Sequence, residues 1–493
     1  MKTYGLFLIL LLFKNLTAQE EPYMIWEYEY GDEQNHQMGN NTLQTSDNGY
    51  LVSFIEDDLE GDSGSNYGLA KLLAEGQQEW IKTFGGSETD TPVKIFKTDS
   101  GNFLLLGHSR SNNGDVSNNH GDFDIWILKI DESGTILWEK NYGGSQSDNA
   151  IDIAEDPEGG FVVLGASSSS DGDITENNGS LDYWLFKISE NGDLIWGKTY
   201  GGSSYDWPHN LVRTIDGGWL VSGTSTSQNG DISNPLGGLD IWIIKVDSEG
   251  NLLWDKSFGD DADNWNSGMI ADYTESGGYL LFWRTDYYTD DEIIGSLIKV
   301  NDDGNEVWQS DSEKLILNLT LGNYPNYIIN SLENSGIGGD NPVSLVLIEE
   351  TNSSWEPLWS YEIGYYGWWE PSYSIFGLMR NNDDQLIITG TKGSDYFSKV
   401  WVGLISPGQM STAELTNHSL SFYPNSATDF IYLNSVEPVE KVQIFNTMGK
   451  LVLQKEFNSQ TDLNIDVRKL TPGTYFVSVK TSKAIKTLPL LVR

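Results

Sequence analysis

Four tryptophans, Trp80, Trp138, Trp196 and Trp254, stand 58 residues apart. Each opens a near-copy of one segment: WIKTFGGSETD, WEKNYGGSQSD, WGKTYGGSSYD and WDKSFGDDADN. Weaker copies begin at Trp26, Trp308 and Trp359. A second series, Trp126, Trp184 and Trp242, keeps the 58-residue step, and Trp401 is its last member. Such a period restricts the chain to stacked copies of one supersecondary unit, because a single unit cannot bury its apolar face alone.

The unit reads as four short strands. In one copy they are DNAIDIAED, GFVVLGASSS, DYWLFKIS and DLIWGKTY, parted by the turn sequences PEGG, SENGD and YGGSS. In IWILKID, Trp126, Leu128 and Ile130 face one way and Ile125 and Ile127 the other. Both faces are apolar, so the strand must be covered on both sides. Four-stranded sheets stacked face to face around an axis meet that demand. The fold class expected is therefore all-β, a seven-bladed β-propeller. The phase of the copies adds a detail. The strand near residues 24–30 has no unit before it, and the last unit ends on KVWVGLIS with no Trp strand after it. The N-terminal strand is expected to complete the seventh blade, removing an exposed sheet edge.

Residues 1–18, MKTYGLFLILLLFKNLTA, read as a secretory signal peptide, with basic Lys2, a short apolar run and a small-residue cleavage site. No later stretch is long and apolar enough for a membrane helix. With no cysteine in the chain, disulfides, thiolate metal sites and cysteine nucleophiles are excluded. The net charge of −43 is concentrated in residues 19–419, which carry 18 basic and 66 acidic residues. That surface repels nucleic acid and favours cations, neutral ligands and solubility as a monomer.

After Gly408 the repeat stops. Residues 409–419 read as a linker, and 420–493 as a small antiparallel β-sandwich, from the alternation in VQIFN, KLVLQ and TYFVSVK. The propeller is expected over 19–408, and its repeats, from about 26 to 408, resemble Trp-containing propeller repeats of secreted bacterial proteins. The C-terminal segment resembles the sorting domain of cargo for the Bacteroidetes type IX (Por) secretion system. Its motifs occur in order: Tyr423-Pro424-Asn425, Asn446-Thr447-Met448-Gly449-Lys450, Leu470-Thr471-Pro472-Gly473-Thr474-Tyr475 and a basic-apolar tail from Lys483 to Arg493. It departs at Ser426, where a second proline is usual. The resemblance implies partnership with the secretion machinery, passage across the outer membrane, removal of this domain, and release or attachment at the cell surface.

The chemistry is less plainly written. GDSG at Gly61–Gly64 occupies the repeat's own Gly-Asp slot, and no His/Asp pair accompanies it as a serine-nucleophile triad requires. The five histidines show no metal-ligand spacing. Three copies share an acidic loop in which oxygen-bearing side chains recur: Asp171, Asp173 and Asp182 in one, Asp115 and Asp124, and Asp231 and Asp240 in its neighbours. Calcium takes six to eight oxygens from irregular loops, so calcium is the cofactor expectation. The same residues also make turns that bond their own backbone.

Specificity is expected where copies differ. Trp207 and Trp265 occupy equivalent positions at the entry to an innermost strand, and Tyr287, Tyr288, Trp368 and Trp369 add further copy-specific aromatics. Aromatic faces amid carboxylates and amides suit sugar rings. The reading is an exported cell-surface or secreted binding and adhesion protein with carbohydrate or a surface partner as ligand. The rival is a polysaccharide-active hydrolase or lyase at the channel mouth, and a third class is a structural scaffold.

Overall fold

The computed structural model describes residues 22–493, apart from 32–35, 58–63, 260–262, 272–277, 287–292, 313–314, 322–326, 335–343, 352–356, 367–371, 394–397, 408–419, 424–425, 428–429, 447–449, 472, 482–484 and 493. The signal-peptide expectation, Gly61–Ser63 of GDSG, and Tyr287, Tyr288, Trp368 and Trp369 lie outside the described residues. The chain forms two compact units, one spanning Pro22–Pro407 and one from Gly408 onward.

Alternating apolar strands and glycine turns give the first unit its sheets. Five four-stranded antiparallel sheets form from consecutive strands, and an eight-stranded sheet holds two more blades. Among the described residues a single parallel pair, Tyr365 with Ser372, bridges those two. We number the blades 1 to 7 and letter their strands a to d outward from the axis. Blade 3, for example, comprises Asp148–Glu155, Phe161–Ser167, Asp182–Ile188 and Leu194–Tyr200. Tyr23–Tyr30 pairs antiparallel with Ser398–Ser406 and supplies strand d of blade 7, as the phase of the repeat predicts. The protein is a seven-bladed β-propeller closed by its own N-terminal strand.

Strand c is buried along its whole length in blades 2 and 4, which accounts for its apolar character on both faces. The core lies between blades. One cluster joins Leu104 and Leu106 of blade 2 to Phe161 and Trp184 of blade 3, and another joins Tyr50 and Val52 of blade 1 to Val400 and Val402 of blade 7.

The two tryptophan series do different work. Trp126, Trp184, Trp242 and Trp401 on strand c are fully buried. The strand-d series is half-buried, apart from buried Trp359, and its members in blades 1 to 4 and 7 reach to the next blade. Trp80, Trp138, Trp196 and Trp254 lie over Gly134, Gly192, Gly250 and Gly304, each in the c–d turn of the following blade. Trp26 meets Gly76 in the same way, so the contact that joins successive blades also joins the last to the first. These turn glycines have φ between +71° and +84°, where side chains are disfavoured. Two indole N–H groups donate to the turns they cover, Trp26 to Ala74 O at 3.1 Å and Trp138 to Glu190 O at 3.2 Å.

The C-terminal unit is built on two long strands, Phe430–Asn446 and Leu451–Asp466, paired along their length. Leu420–Tyr423 flanks the first half of Phe430–Asn446, and Gly473–Thr481 flanks its second half. Both halves supply one core, from Ile431 and Leu433 to Val442 and Ile444, so the sheet folds over a register shift between Asn434 and Val439 into a small sandwich. Two motif residues have local structural roles. Asn446 Oδ1 accepts from Lys450 N at 2.9 Å across the turn, and Tyr475 Oη donates to Thr471 O at 2.8 Å.

Gly250→Ala and Gly101→Ala separate backbone strain from the indole contact. Both glycines have positive φ, +76° and +84°. A β-carbon on Gly250 would lie 2.9 Å from the Trp196 ring, whereas one on Gly101 would meet nothing within 4 Å. We expect Gly101→Ala to cost about 1 kcal/mol and Gly250→Ala about 1–3 kcal/mol more, read by thermal or urea melting.

Candidate functional site

The alternation of strand direction puts the start of a, the end of b, the start of c and the end of d at one rim of the ring. In blade 4 the register sets Asp206 opposite Ser225, Ser225 opposite Asp240, and Ile241 opposite Phe258. The acidic b–c loops, the Tyr-Gly-Gly d–a connections and Trp207 therefore share that rim.

The aspartate that opens strand a is a latch repeated in three blades. Asp148 accepts from Gly144 N at 2.7 Å, from Ser169 Oγ at 2.9 Å and from Ser167 Oγ. Asp206 accepts from Gly202 N at 2.8 Å, Ser227 Oγ at 2.8 Å and Ser225 Oγ. Asp90 does the same with Gly86 N, Ser111 Oγ and Ser109 Oγ. Burial raises all three carboxyls above the ordinary carboxylate range, and these donors oppose that shift.

The seven loop acids singled out above face backbone amides. Asp171 accepts from Ser145 N at 2.7 Å, and Asp173 from Gly143 N at 3.1 Å, both on the preceding blade. Asp115 and Asp231 accept from Gly85 N at 3.2 Å and Gly201 N at 3.0 Å. Asp124, Asp182 and Asp240 accept within their own loops, from His120 N at 2.6 Å, Asn178 N at 2.6 Å and Leu236 N at 2.7 Å. Among the described residues no three His, Asp or Glu side chains gather as a metal cluster.

Two of these acids have a further neighbour that spacing within one loop did not reveal. Asp124 Oδ1 of blade 2 and Asp148 Oδ2 of blade 3 both lie within 2.7 Å of the point where a β-carbon on Gly143 would sit. Asp182 Oδ1 and Asp206 Oδ2 converge likewise on Gly201. Glycine is required at these positions because any side chain would displace the facing carboxylates. Asp124 and Asp182 are fully buried, and the Oδ1 of each has no hydrogen-bond partner. Burial, with the charge of Asp148 adding to it, pushes Asp124 up to about 6. Burial, with the charges of Asp206 and Asp231, pushes Asp182 up to about 7. At the boundary of blades 1 and 2, Asn66 holds the corresponding place beside Asp90.

Trp207 is half-buried on the inner strand of blade 4 and stacks on Tyr205, with ring centroids 5.9 Å apart and planes 8° from parallel. Tyr205 is 42% exposed. Residue spacing missed Tyr205, although blades 2 and 3 carry Thr89 and Ser147 in its place. Trp265 holds the equivalent position on strand a of blade 5. Trp283 is buried in the core between blades 4 and 5.

One cavity of about 430 Å³ opens at the boundary of blades 3 and 4. Its walls include Thr175, Trp184, Gly197 and Thr199 of blade 3, with Asp231 and Asn251 of blade 4. The signal for it lies in WGKTY, where glycine replaces the Glu of WEKNY and the Asp of WDKSF.

Residues 421–493 match the family model of the secretion system C-terminal sorting domain. The C-terminal unit is a type IX sorting domain. The sorting domain directs the chain through the secretion machinery to the cell surface or beyond. No helix of the described residues is long and apolar enough to cross a membrane. Over 203 residues, 38% of the chain, it is 24% identical to regulatory protein FlaEY of Caulobacter vibrioides, and it spans about a fifth (21%) of that protein's length. Among solved structures, the polysaccharide lyase Uly1 aligns at 11% identity and TM-score 0.46, covering 77% of this chain and 91% of that one. The α-L-arabinofuranosidase Arb93A of Fusarium graminearum aligns at 10% identity and TM-score 0.36, covering 80% and 99%. The WD40 domain of SCAP from fission yeast aligns at 9% and 0.35, covering 78% and 98%.

A chain carried by a sorting domain works in the external medium, so the facing carboxyls meet its pH directly. Their folded-state affinities for protons exceed the unfolded value near 4, so the folded state binds more protons. Their contribution to stability is full below about pH 4 and is lost as pH rises through 6 to 7, by at most about 1.4 kcal/mol per unit and group. We expect melting temperature to fall between pH 5 and pH 8, and to fall less in Asp182→Asn, whose amide needs no proton to donate to Asp206.

Proposed function

We propose that the propeller is an extracellular binding and adhesion module for carbohydrate, with its contact platform on the acidic rim at Tyr205 and Trp207. The observation that carries this reading is their stack. Two parallel rings, neither fully buried, are held at the entry of one blade where blades 2 and 3 have small polar residues. Their exposed faces suit the C–H face of a sugar, and the surrounding carboxylates and amides suit its hydroxyls.

Binding is favoured over catalysis by where the perturbed acids lie. Asp124 and Asp182, the carboxyls raised towards neutrality, are buried without exposed surface and face other structural aspartates. A general acid must reach its substrate, and these do not. On a broad glycan array the purified chain is expected to bind a restricted set of glycans. Trp207→Ala is expected to weaken that binding about tenfold or more, with an unchanged melt. Absence of binding across the array would remove the reading.

Calcium enters this function at the facing pairs Asp124–Asp148 and Asp182–Asp206, where a buried oxygen lacks a donor. There a cation would take the proton's place once the pH rises above 7, with Asp171 and Asp231 the further carboxylates whose charge reaches the pairs. At pH 8 we expect a higher melting temperature in calcium than in chelator, and no difference in the double variant Asp124→Asn, Asp182→Asn. Equal melts of the unmodified chain exclude calcium.

A further inference from the structure

Four blades carry a tryptophan in the same place on strand c: Trp126, Trp184, Trp242 and Trp401. In three of them the indole N–H donates to a carboxylate on strand d, from the residue directly after that strand's own tryptophan. Trp126 Nε1 donates to Glu139 Oε2 at 3.0 Å, Trp242 Nε1 to Asp255 Oδ2 at 3.2 Å, and Trp401 Nε1 to Glu27 Oε2 at 3.0 Å. In blades 2 and 4 the same carboxylate also ties down the acidic loop. Ser117 Oγ donates to Glu139, and Ser233 donates to Asp255 through N at 2.9 Å and Oγ at 2.6 Å.

Blade 3 keeps the donors and lacks the acceptor. Gly197 stands where Glu139 and Asp255 stand, and Thr175 keeps the hydroxyl of Ser117 and Ser233. Trp184 is 1% exposed, and its Nε1, 3.1 Å from the place of a Gly197 β-carbon, has no hydrogen-bond partner among the described residues. It points into the 430 Å³ cavity, which Thr175 and Gly197 also line. Gly197 does not have the positive φ that would require glycine.

We propose that this cavity binds the carboxylate of an acidic sugar, a hexuronate unit, in the slot that the neighbouring blades fill with their own side chain. Trp184 Nε1 and Thr175 are the carboxylate's donors. Three acids, Asp173, Glu176 and Asp231, line the same cavity. Asp173 and Asp231 accept from Gly143 N and Gly201 N, which offsets part of their repulsion of an anion. Lys198, bonded to Asn251 Oδ1 at 2.6 Å, puts a cation in the cavity wall. The cavity is larger than a carboxylate, and Thr199, Asn251 and Asp231 supply partners for ring hydroxyls. The sugar assignment rests on the carbohydrate reading above, whereas the carboxylate slot does not.

Thermal melts of the full chain with D-glucuronate test this, with glucose, acetate and glutamate as comparison probes. Glucuronate is expected to raise the melting temperature saturably, and glucose is not. Gly197→Glu is expected to melt higher than the parent, because its side chain fills the slot, and to lose the glucuronate shift. Trp184→Phe is expected to lose the shift while retaining a cooperative melt. No shift in the parent, or a shift that survives Gly197→Glu, overturns the proposal. Acetate or glutamate matching glucuronate overturns the hexuronate assignment. A glucuronate shift lost in Trp207→Ala moves binding to the rim and overturns the site, whereas a shift retained there keeps the site even if the rim binds no glycan.

Discussion

The ring depends on an indole laid over a glycine. Each strand-d tryptophan of blades 1 to 4 covers a left-handed glycine in the next blade's turn, and Trp26 repeats the contact across the closure. The arrangement needs both partners. Only a residue without a β-carbon accepts that φ and leaves the ring its place, and a smaller apolar side chain would leave the turn uncovered. The contact is periodic because it joins copy to copy, and that is why the 58-residue step is the loudest signal in the chain.

Periodicity made the architecture legible. Strand order, the two-sided burial of strand c and the closing role of residues 23–30 follow from counting copies and reading alternation, since these depend on local pattern and a repeated register. The division of labour between the tryptophan series was less visible. Trp126 and Trp138 look alike in sequence, yet one is core and the other an inter-blade clasp, because only pairing shows which strand lies at the outer edge.

The site was legible only where a residue acts within its own copy. Counting along one loop groups Asp171, Asp173 and Asp182, but the fold sends the first two to amides of blade 2. It turns the free oxygen of the third towards Asp206 of blade 4. Such contacts lie about one repeat away in sequence, beyond any loop motif. Their chemistry follows from the boundary between blades. Burial, together with the charge of a second carboxylate, favours the protonated form. Asn66 shows another solution at the boundary of blades 1 and 2, a neutral amide in place of the protonated acid.

Repetition also supplies internal controls. Blades 2 and 4 show what the boundary of strands c and d looks like when complete: an indole N–H, a carboxylate and a loop hydroxyl in one network. Blade 3 differs from them there by the loss of one side chain, and the cavity opens where that side chain is missing. The Trp184 N–H therefore faces the cavity where its counterparts face a carboxylate. The same reasoning separates Tyr205 and Trp207 from the other aromatics. Blades 2 and 3 pack with small polar residues in these places, so the ring does not require the two rings of blade 4 for its stability.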